Sequence, residues 1–584
     1  MDHSRATNGL RDKAVVVAFV TSAACYLFLQ LGYAFETGDQ LQYLLLPYRS
    51  IYPDFVPGDW FTWQTSHYHQ TYAWLIRGLH GAAGEHAFPL AVACAQGCVL
   101  AWLCYAVLQV ARALDFGVLE AAFAVIVFGG VREAGMAGAL LNHGQLVPAD
   151  LALPAFLLAC AAWARGRWLL CGVWLGVSGF WHANFAVLAP LVLGPLVLEH
   201  CLRVRKPWPL LQLTLPFLIV ASPTLLLLVG SFLVHDSSPE AVGITLFTRS
   251  SHHYDLWSMH AEDFYWPALL AAIGLPVWLA AGSAKHGQRL RLLVALCAVI
   301  LMGVIGSGLH RVSLARLFAF RMSMPLLLLL LLTAARALRK LWCAAEPATL
   351  LWLCANLCAL ASFARTDVAR LHTWGFGGVY SGAPAVAPLL CAALLARYAA
   401  GHWRTGVVVL ATITLLWSAS LGRARVAHAR ADDSWTTAQG LRSLRAPIHV
   451  ERPDRPLFAA IRARTPHDAR ILAPAGMIDL RLLARRAVFV DWKCAPMKGD
   501  EAREWQRRML AAMGTRVFPA TGYALRTQAD RLYWRRPLPE LAALARREGM
   551  THVIAARGRG AERQAGVRLV FTDGPYAVYE LAPR

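Results

Sequence analysis

The chain has 584 residues, 57% of them hydrophobic and only 16% charged, with a mean hydropathy of +0.45. Soluble domains carry roughly a quarter charged residues, so this composition excludes an ordinary soluble enzyme and points to a polytopic membrane protein. The net charge is +21, and residues 431–584 hold 27 Lys and Arg against 16 Asp and Glu; without a recognisable nucleic-acid motif, so basic a tail beside membrane spans suits anionic lipid or phosphate better than nucleic acid.

Residues 1–13 form a short polar head. Residues 14–35 are apolar throughout, long enough to cross roughly 30 Å of hydrocarbon. Ser22-Ala23-Ala24-Cys25 has a faint likeness to a lipoprotein cleavage site, but the apolar run continues through Leu29, which predicts an uncleaved anchor. Further spans are predicted near 88–111, 117–130, 146–163, 168–181, 184–199, 208–233, 265–283, 290–308, 321–335, 347–363, 383–396 and 406–421, about thirteen in all. Trp181-His182-Ala183-Asn184 interrupts 168–199, which reads as two short helices or one long tilted helix.

The connectors alternate in charge. One set, with Arg112, Arg165, Arg203, Lys285, Arg289, Arg336 and Arg404 among its members, carries 17 basic residues in short loops. The positive-inside rule then places the N-terminus in the cytoplasm. The loops at 36–87, 234–264, 309–320 and 364–382 face outward and, with an odd span count, so does the tail. The prediction is a multi-pass protein of the bacterial inner membrane with a periplasmic C-terminal domain.

Of thirteen Cys, twelve lie in or at the ends of apolar spans, where Cys acts as a small hydrophobe. Neither a CxxC pair nor zinc-type spacing occurs, so no disulfide and no structural metal site is expected. The tail, 424–584, has amphipathic helix-like stretches at 457–464 and 500–513. It also has β-like runs at 470–472, 487–490, 552–555, 567–571 and 577–581, and reads as a small α/β domain. The fold class is therefore mostly α: a helical membrane bundle over 1–423 followed by that domain.

The chemistry-bearing residues concentrate in the outward loops. Glu36 and Asp39 follow the first span, and if 38–43 is helical then Asp39, Gln42 and Tyr43 share a face. A partly desolvated carboxylate there would tend toward the pKa of a useful general base. Asp59, in Pro57-Gly58-Asp59-Trp60, is a second carboxylate of the same loop. Arg249-Ser250-Ser251-His252-His253-Tyr254 can bind phosphate or a metal. Arg311, Arg316 and Arg321 mark a helix mouth, Arg321 among apolar neighbours. Asp150 falls inside a predicted span, near Asn142-His143-Gly144-Gln145, and His182 with Asn184 lies at another break. Each polar residue also has a plain structural reading, as a solvated loop or a hydrogen-bonding partner.

Glu36-Thr37-Gly38-Asp39-Gln40-Leu41-Gln42-Tyr43, Asp59 and the Arg311–Arg321 mouth together resemble the GT-C superfamily of membrane glycosyltransferases. Residues 461–472, 485–493 and 249–254 are similar to an uncharacterised bacterial family of such proteins. The resemblance implies transfer of a sugar from a polyprenyl-phosphate donor to an envelope acceptor on the outer side. It implies Asp39 as base, with Asp59 and Glu36 as further carboxylates. It implies Arg321, Arg311, Arg249, His252, His253, Tyr43 and His182 around the substrates. The first loop lacks an Asp-Asp or Glu-Asp pair and the tail lacks a WWDxG-type motif, so no metal or other cofactor is implied. If Asp39 is the base and Arg321 holds the phosphate, the two must converge at one outer site without pairing directly. A non-catalytic transporter or lipid-binding protein, and a scaffold whose tail recruits a partner, are the alternative readings.

Overall fold

The computed structural model describes residues 2–31, 33–66, 69–130, 136, 144–234, 238–259, 285–344, 448–449, 455–558 and 565–582. The predicted spans at 265–283, 347–363, 383–396 and 406–421, the loop 364–382, and Asn142 and His143 lie outside the described residues.

Apolar composition becomes helix where the sequence is continuous enough. The first helix is Asp2–Leu31. Among the described residues, five helices are long and apolar enough to cross a membrane: Gln70–Ala113, Ala183–Val204, Trp208–Gly230, His286–Gly308 and Val312–Arg336. Shorter apolar helices occupy Val118–Phe128, Pro148–Ala164 and Trp168–Trp181.

One boundary differs from the sequence expectation, and one left open between two alternatives is decided. The outward loop expected to run to residue 87 ends near His69, and helix begins at Gln70 with a break at Gly84. The reason is packing: Tyr72, Ala73 and Ile76 are buried on one side of this segment, a helical spacing masked by its Arg, His and Gly content. The 168–199 region resolves into two helices. His182, with extended backbone (φ −146°, ψ 124°), ends Trp168–Trp181 and caps Ala183–Val204.

Met324–Leu332 is almost wholly buried at the middle of the bundle. At the end of the bundle where Gln70–Ala113 terminates, Arg289 is 1% exposed and donates to the carbonyls of Leu114 (2.7 Å) and Asp115 (3.0 Å). Arg336 reaches the same Asp115, and Arg112 pairs with Asp12 at 2.8 Å. Three connectors of the strongly basic set thus gather at one end, and the first loop, residues 238–258 and residues 309–322 gather at the other.

In the tail, β3 (Arg470–Leu472), β4 (Ala487–Val488), β5 (His552–Ala556), β6 (Val567–Asp573) and β7 (Tyr576–Leu581) form one sheet in the order β4-β3-β5-β7-β6. The β4-β3-β5 part is parallel and the β5-β7-β6 part antiparallel. Alternating side chains serve opposite faces. Ile471 and Ile554 pack with Phe458 of helix Arg455–Arg464, whereas Leu472 and Val553 pack with Trp505, Leu525 and Leu541 of three helices on the other face. A short parallel pair, β1 (Tyr33–Ala34) with β2 (Ile448–His449), ties the end of the first helix to the start of the tail. Leu482 and Cys494 of the tail join Tyr33, Phe35, Leu41, Tyr48 and Phe61 in one apolar cluster, so the first loop lies between bundle and tail.

Candidate active site

Asp39 stands in a tight turn between β1 and helix Gln40–Tyr43, and its side chain makes no cap hydrogen bond. Gln145 holds the turn. Its Oε1 accepts from the Asp39 N–H at 3.1 Å, and its Nε2 donates to Thr37 Oγ1 at 2.6 Å. Gly38 has φ +48°, and a Cβ there would fall 2.4 Å from Gln145 Nε2. Gly38→Ala therefore combines left-handed strain of about 1–3 kcal/mol with displacement of Gln145. The expected result is a folded protein with a misplaced Asp39, read as lost activity with a small fall in melting temperature.

The Asp39 carboxylate, 38% exposed, forms an ion pair with Lys493 of the tail. Lys493 follows Trp492, and Arg249 fixes that connection. Arg249 donates to the carbonyls of Trp492 (3.2 Å) and Lys493 (2.9 Å), and its guanidinium lies 4.4 Å from the Trp492 ring. Burial lowers the Arg249 pKa, while Tyr523, Asp39, Cys494 and Asp491 act to raise it. Arg321 lies 5.1 Å from the Phe318 ring, and its buried Nε has no hydrogen-bond partner among the described residues. Tyr43 ties the group together. Burial raises its phenol pKa above the usual range; Asp39 adds to this, while Arg321 and Arg249 oppose it. One carboxylate and two arginines therefore lie in the neighbourhood of a single hydroxyl.

The histidines form two groups. His69 stands edge-on to Tyr43 at 4.8 Å and 5.0 Å from His182. His182 Nδ1 accepts from the Asn184 N–H at 3.1 Å, and Asn184 in turn donates to the Leu317 carbonyl at 2.7 Å, fastening the Arg321 segment to the helix. His252 lies against Tyr523 (4.2 Å) and, at 6.2 Å, parallel to Trp492; His253 packs toward Phe318 at 5.6 Å.

Several sequence candidates fall elsewhere. Arg311 is exposed, and no contact among the described residues brings it to Tyr43. Glu36 accepts from the buried Tyr48 hydroxyl at 2.7 Å. Asp59, expected as a second active carboxylate, is 1% exposed. It accepts from the N–H groups of Thr62 (2.8 Å) and Val488 (2.9 Å) and from Arg481 Nε (2.9 Å), which leaves it no route to a substrate proton. Its role is to join the first loop to the tail. Asp39 is paired, though with Lys493 and not with Arg321. Asp150 serves its own helix start, accepting from the Val147 N–H at 3.3 Å. Lys493 itself had no assigned role in the sequence. The one available signal was that residues 431–584 contain only two Lys, 493 and 498, among 25 Arg.

A model of a domain of unknown function, DUF6798, matches residues 452–512. No curated protein matches the chain by sequence. Among solved structures, ArnT from Cupriavidus metallidurans in the apo state aligns with a TM-score of 0.52 at 15% identity, covering 97% of this chain and 98% of that one. The same protein bound to undecaprenyl phosphate gives 0.46 at 14% identity, with 97% of each chain covered. The oligosaccharyltransferase of Archaeoglobus fulgidus tethered with an acceptor peptide gives 0.45 at 12% identity, covering 93% of this chain and 69% of that one. The chain thus shares the fold of ArnT, and five of its described helices are long and apolar enough to cross a membrane.

Proposed function

We propose that this protein is an inverting glycosyltransferase that moves a sugar from a polyprenyl-phosphate donor to an envelope acceptor on the outer side of the inner membrane. The observation that carries this reading is the convergence of Asp39, Arg249 and Arg321 on Tyr43 at one end of a GT-C fold. In the reaction the acceptor hydroxyl gives its proton to Asp39 and its oxygen bonds to the anomeric carbon. The bond from that carbon to the phosphate oxygen breaks, and polyprenyl phosphate leaves with the electron pair. The leaving phosphate is already an anion, so cations can stabilise it without a general acid.

Arg321 is assigned to that phosphate, because its buried Nε has donor capacity left over. His69, His182 and Tyr43 line the approach to it, and His252 and His253 border the same side. The N-terminus is placed in the cytoplasm and the tail in the periplasm, on the strength of the 17 basic residues of one connector set.

The test uses purified full-length protein in lipid nanodiscs. Undecaprenyl phosphate binding is measured by microscale thermophoresis, and transfer is measured over a panel of polyprenyl-phosphate sugars. A charge-assisted contact to phosphate of about 1.5–3 kcal/mol predicts roughly 10- to 100-fold weaker binding for Arg321→Ala. Equal lipid binding by wild type and Arg321→Ala, with no transfer from any donor, would discard the proposal.

A further inference from the structure

We infer that Lys493 is a tail-borne switch on Asp39: it neutralises the carboxylate through their ion pair and moves onto the donor phosphate when donor binds, uncovering the base. This rests on the reading of Asp39 as the base of a polyprenyl-phosphate glycosyltransferase.

The mount of Lys493 is rigid and its head is not. Its backbone sits between β4 and helix Gly499–Met513 and is tied to the bundle on two sides. Arg249 takes the carbonyls of Trp492 and Lys493, and Thr245 Oγ1 donates to the Pro496 carbonyl at 2.6 Å. Within the tail, the Cys494 N–H donates to Asp491 Oδ1 at 2.7 Å and Trp492 Nε1 donates to the Gly522 carbonyl at 3.1 Å. The ammonium, by contrast, rides on a four-carbon stem and carries three rotatable donors, so it can leave one anion for a neighbouring one. Its side chain keeps 18% exposure.

The other charged groups around Asp39 have contacts of their own, and Arg321 keeps its Nε for the phosphate. Arg249 holds the tail carbonyls and Ser250, Arg321 lies on Phe318, and Glu36 accepts from Tyr48. Tyr43 is the remaining titratable neighbour on the same turn of chain. Lys493 is in ion-pair contact with Asp39. A carboxylate so paired is a weak base. An arriving phosphate anion competes for the same ammonium, and the carboxylate regains basicity as the ammonium departs.

Wild type, Lys493→Met and Lys493→Arg are compared as full-length protein in nanodiscs, with undecaprenyl phosphate as the binding probe and the donor that wild type turns over as substrate. Lys493→Met should bind undecaprenyl phosphate about tenfold more weakly, the loss of one charge-assisted contact, and Lys493→Arg should hold most of the affinity. Removing the counter-cation raises the Asp39 pKa, so the acid limb of kcat/KM, which reports free enzyme, should move up by about one pH unit in Lys493→Met. In wild type the acid limb should lie higher in kcat than in kcat/KM, because the ion pair is broken only in the complex. In Lys493→Met that difference should vanish.

Wild type that transfers while Lys493→Met keeps both its lipid affinity and its acid limb overturns the switch and leaves the glycosyltransferase reading intact. Wild type that transfers from no donor overturns that reading and the switch with it. If Lys493→Met fails to fold, coincident wild-type limbs in kcat and kcat/KM overturn the switch without any variant.

Discussion

Asp39→Asn is expected to leave the protein folded and to reduce sugar transfer by about 10²- to 10⁴-fold, the usual contribution of a positioned general base. The fold should survive because the side chain is 38% exposed and makes no cap hydrogen bond for helix Gln40–Tyr43. The turn itself is held through the Asp39 N–H and Gln145, which Asn retains. Lys493 loses its counter-ion, but it remains partly open to water and pays little for being unpaired. Initial rates with the accepted donor and a melting curve in detergent check both halves. Near-normal transfer would move the base to Glu36, whose carboxylate accepts from the Tyr48 hydroxyl. It would not move it to Asp59, which has no access to solvent.

The bundle was legible because hydrocarbon imposes a length and a composition on each crossing. Asp39 was legible as an acid immediately beyond the first span, and Arg249 and Arg321 as cations in connectors on the same side by charge alternation. What separates Asp39 from Asp59 was not legible. Both follow a glycine, both stand in the same loop, and aromatic residues flank both. The distinction comes from the tail, which offers a flexible Lys493 to one and a fully buried Arg481 to the other. Those partners lie more than 400 positions away in the chain, and local pattern carries no information at that range. The helix from Gln70 was missed for a different reason. Its buried face is formed by loop and bundle together, so burial rather than hydrophobicity sets its period. The break at His182 was visible as polar residues inside an apolar run, but choosing between two helices and one required the extended backbone of His182.

Arg481→Met is expected to detach the tail from the first loop and to cost roughly 3–5 kcal/mol, the range for breaking a buried ion pair by removing one partner. Arg481 is 2% exposed and faces two carboxylates, Asp59 at 2.9 Å and Asp491. Burial pulls its pKa down, but Asp59 and Asp491 outweigh burial and hold it above the ordinary value. The surplus negative charge is shared by three backbone N–H groups, those of Thr62, Val488 and Cys494. Without the guanidinium, two buried carboxylates face each other with only those N–H groups for compensation, and the lowest-energy response is to open the junction to water. Opening it moves the Asp491–Lys498 connection and withdraws Lys493 from the donor phosphate, so activity falls although Asp39, Arg249 and Arg321 are unchanged. A lowered melting temperature together with faster protease cleavage of the tail is the expected signature. Replacing Asp59 and Asp491 with Asn in the same chain removes both orphaned charges, and should recover most of the lost stability while leaving activity low, because the junction no longer has its directional tie. If Arg481→Met melts like wild type and transfers sugar normally, the tail is not held by this network, and its docking rests on the apolar cluster around Leu482 and Cys494 together with the Arg249 and Thr245 hydrogen bonds.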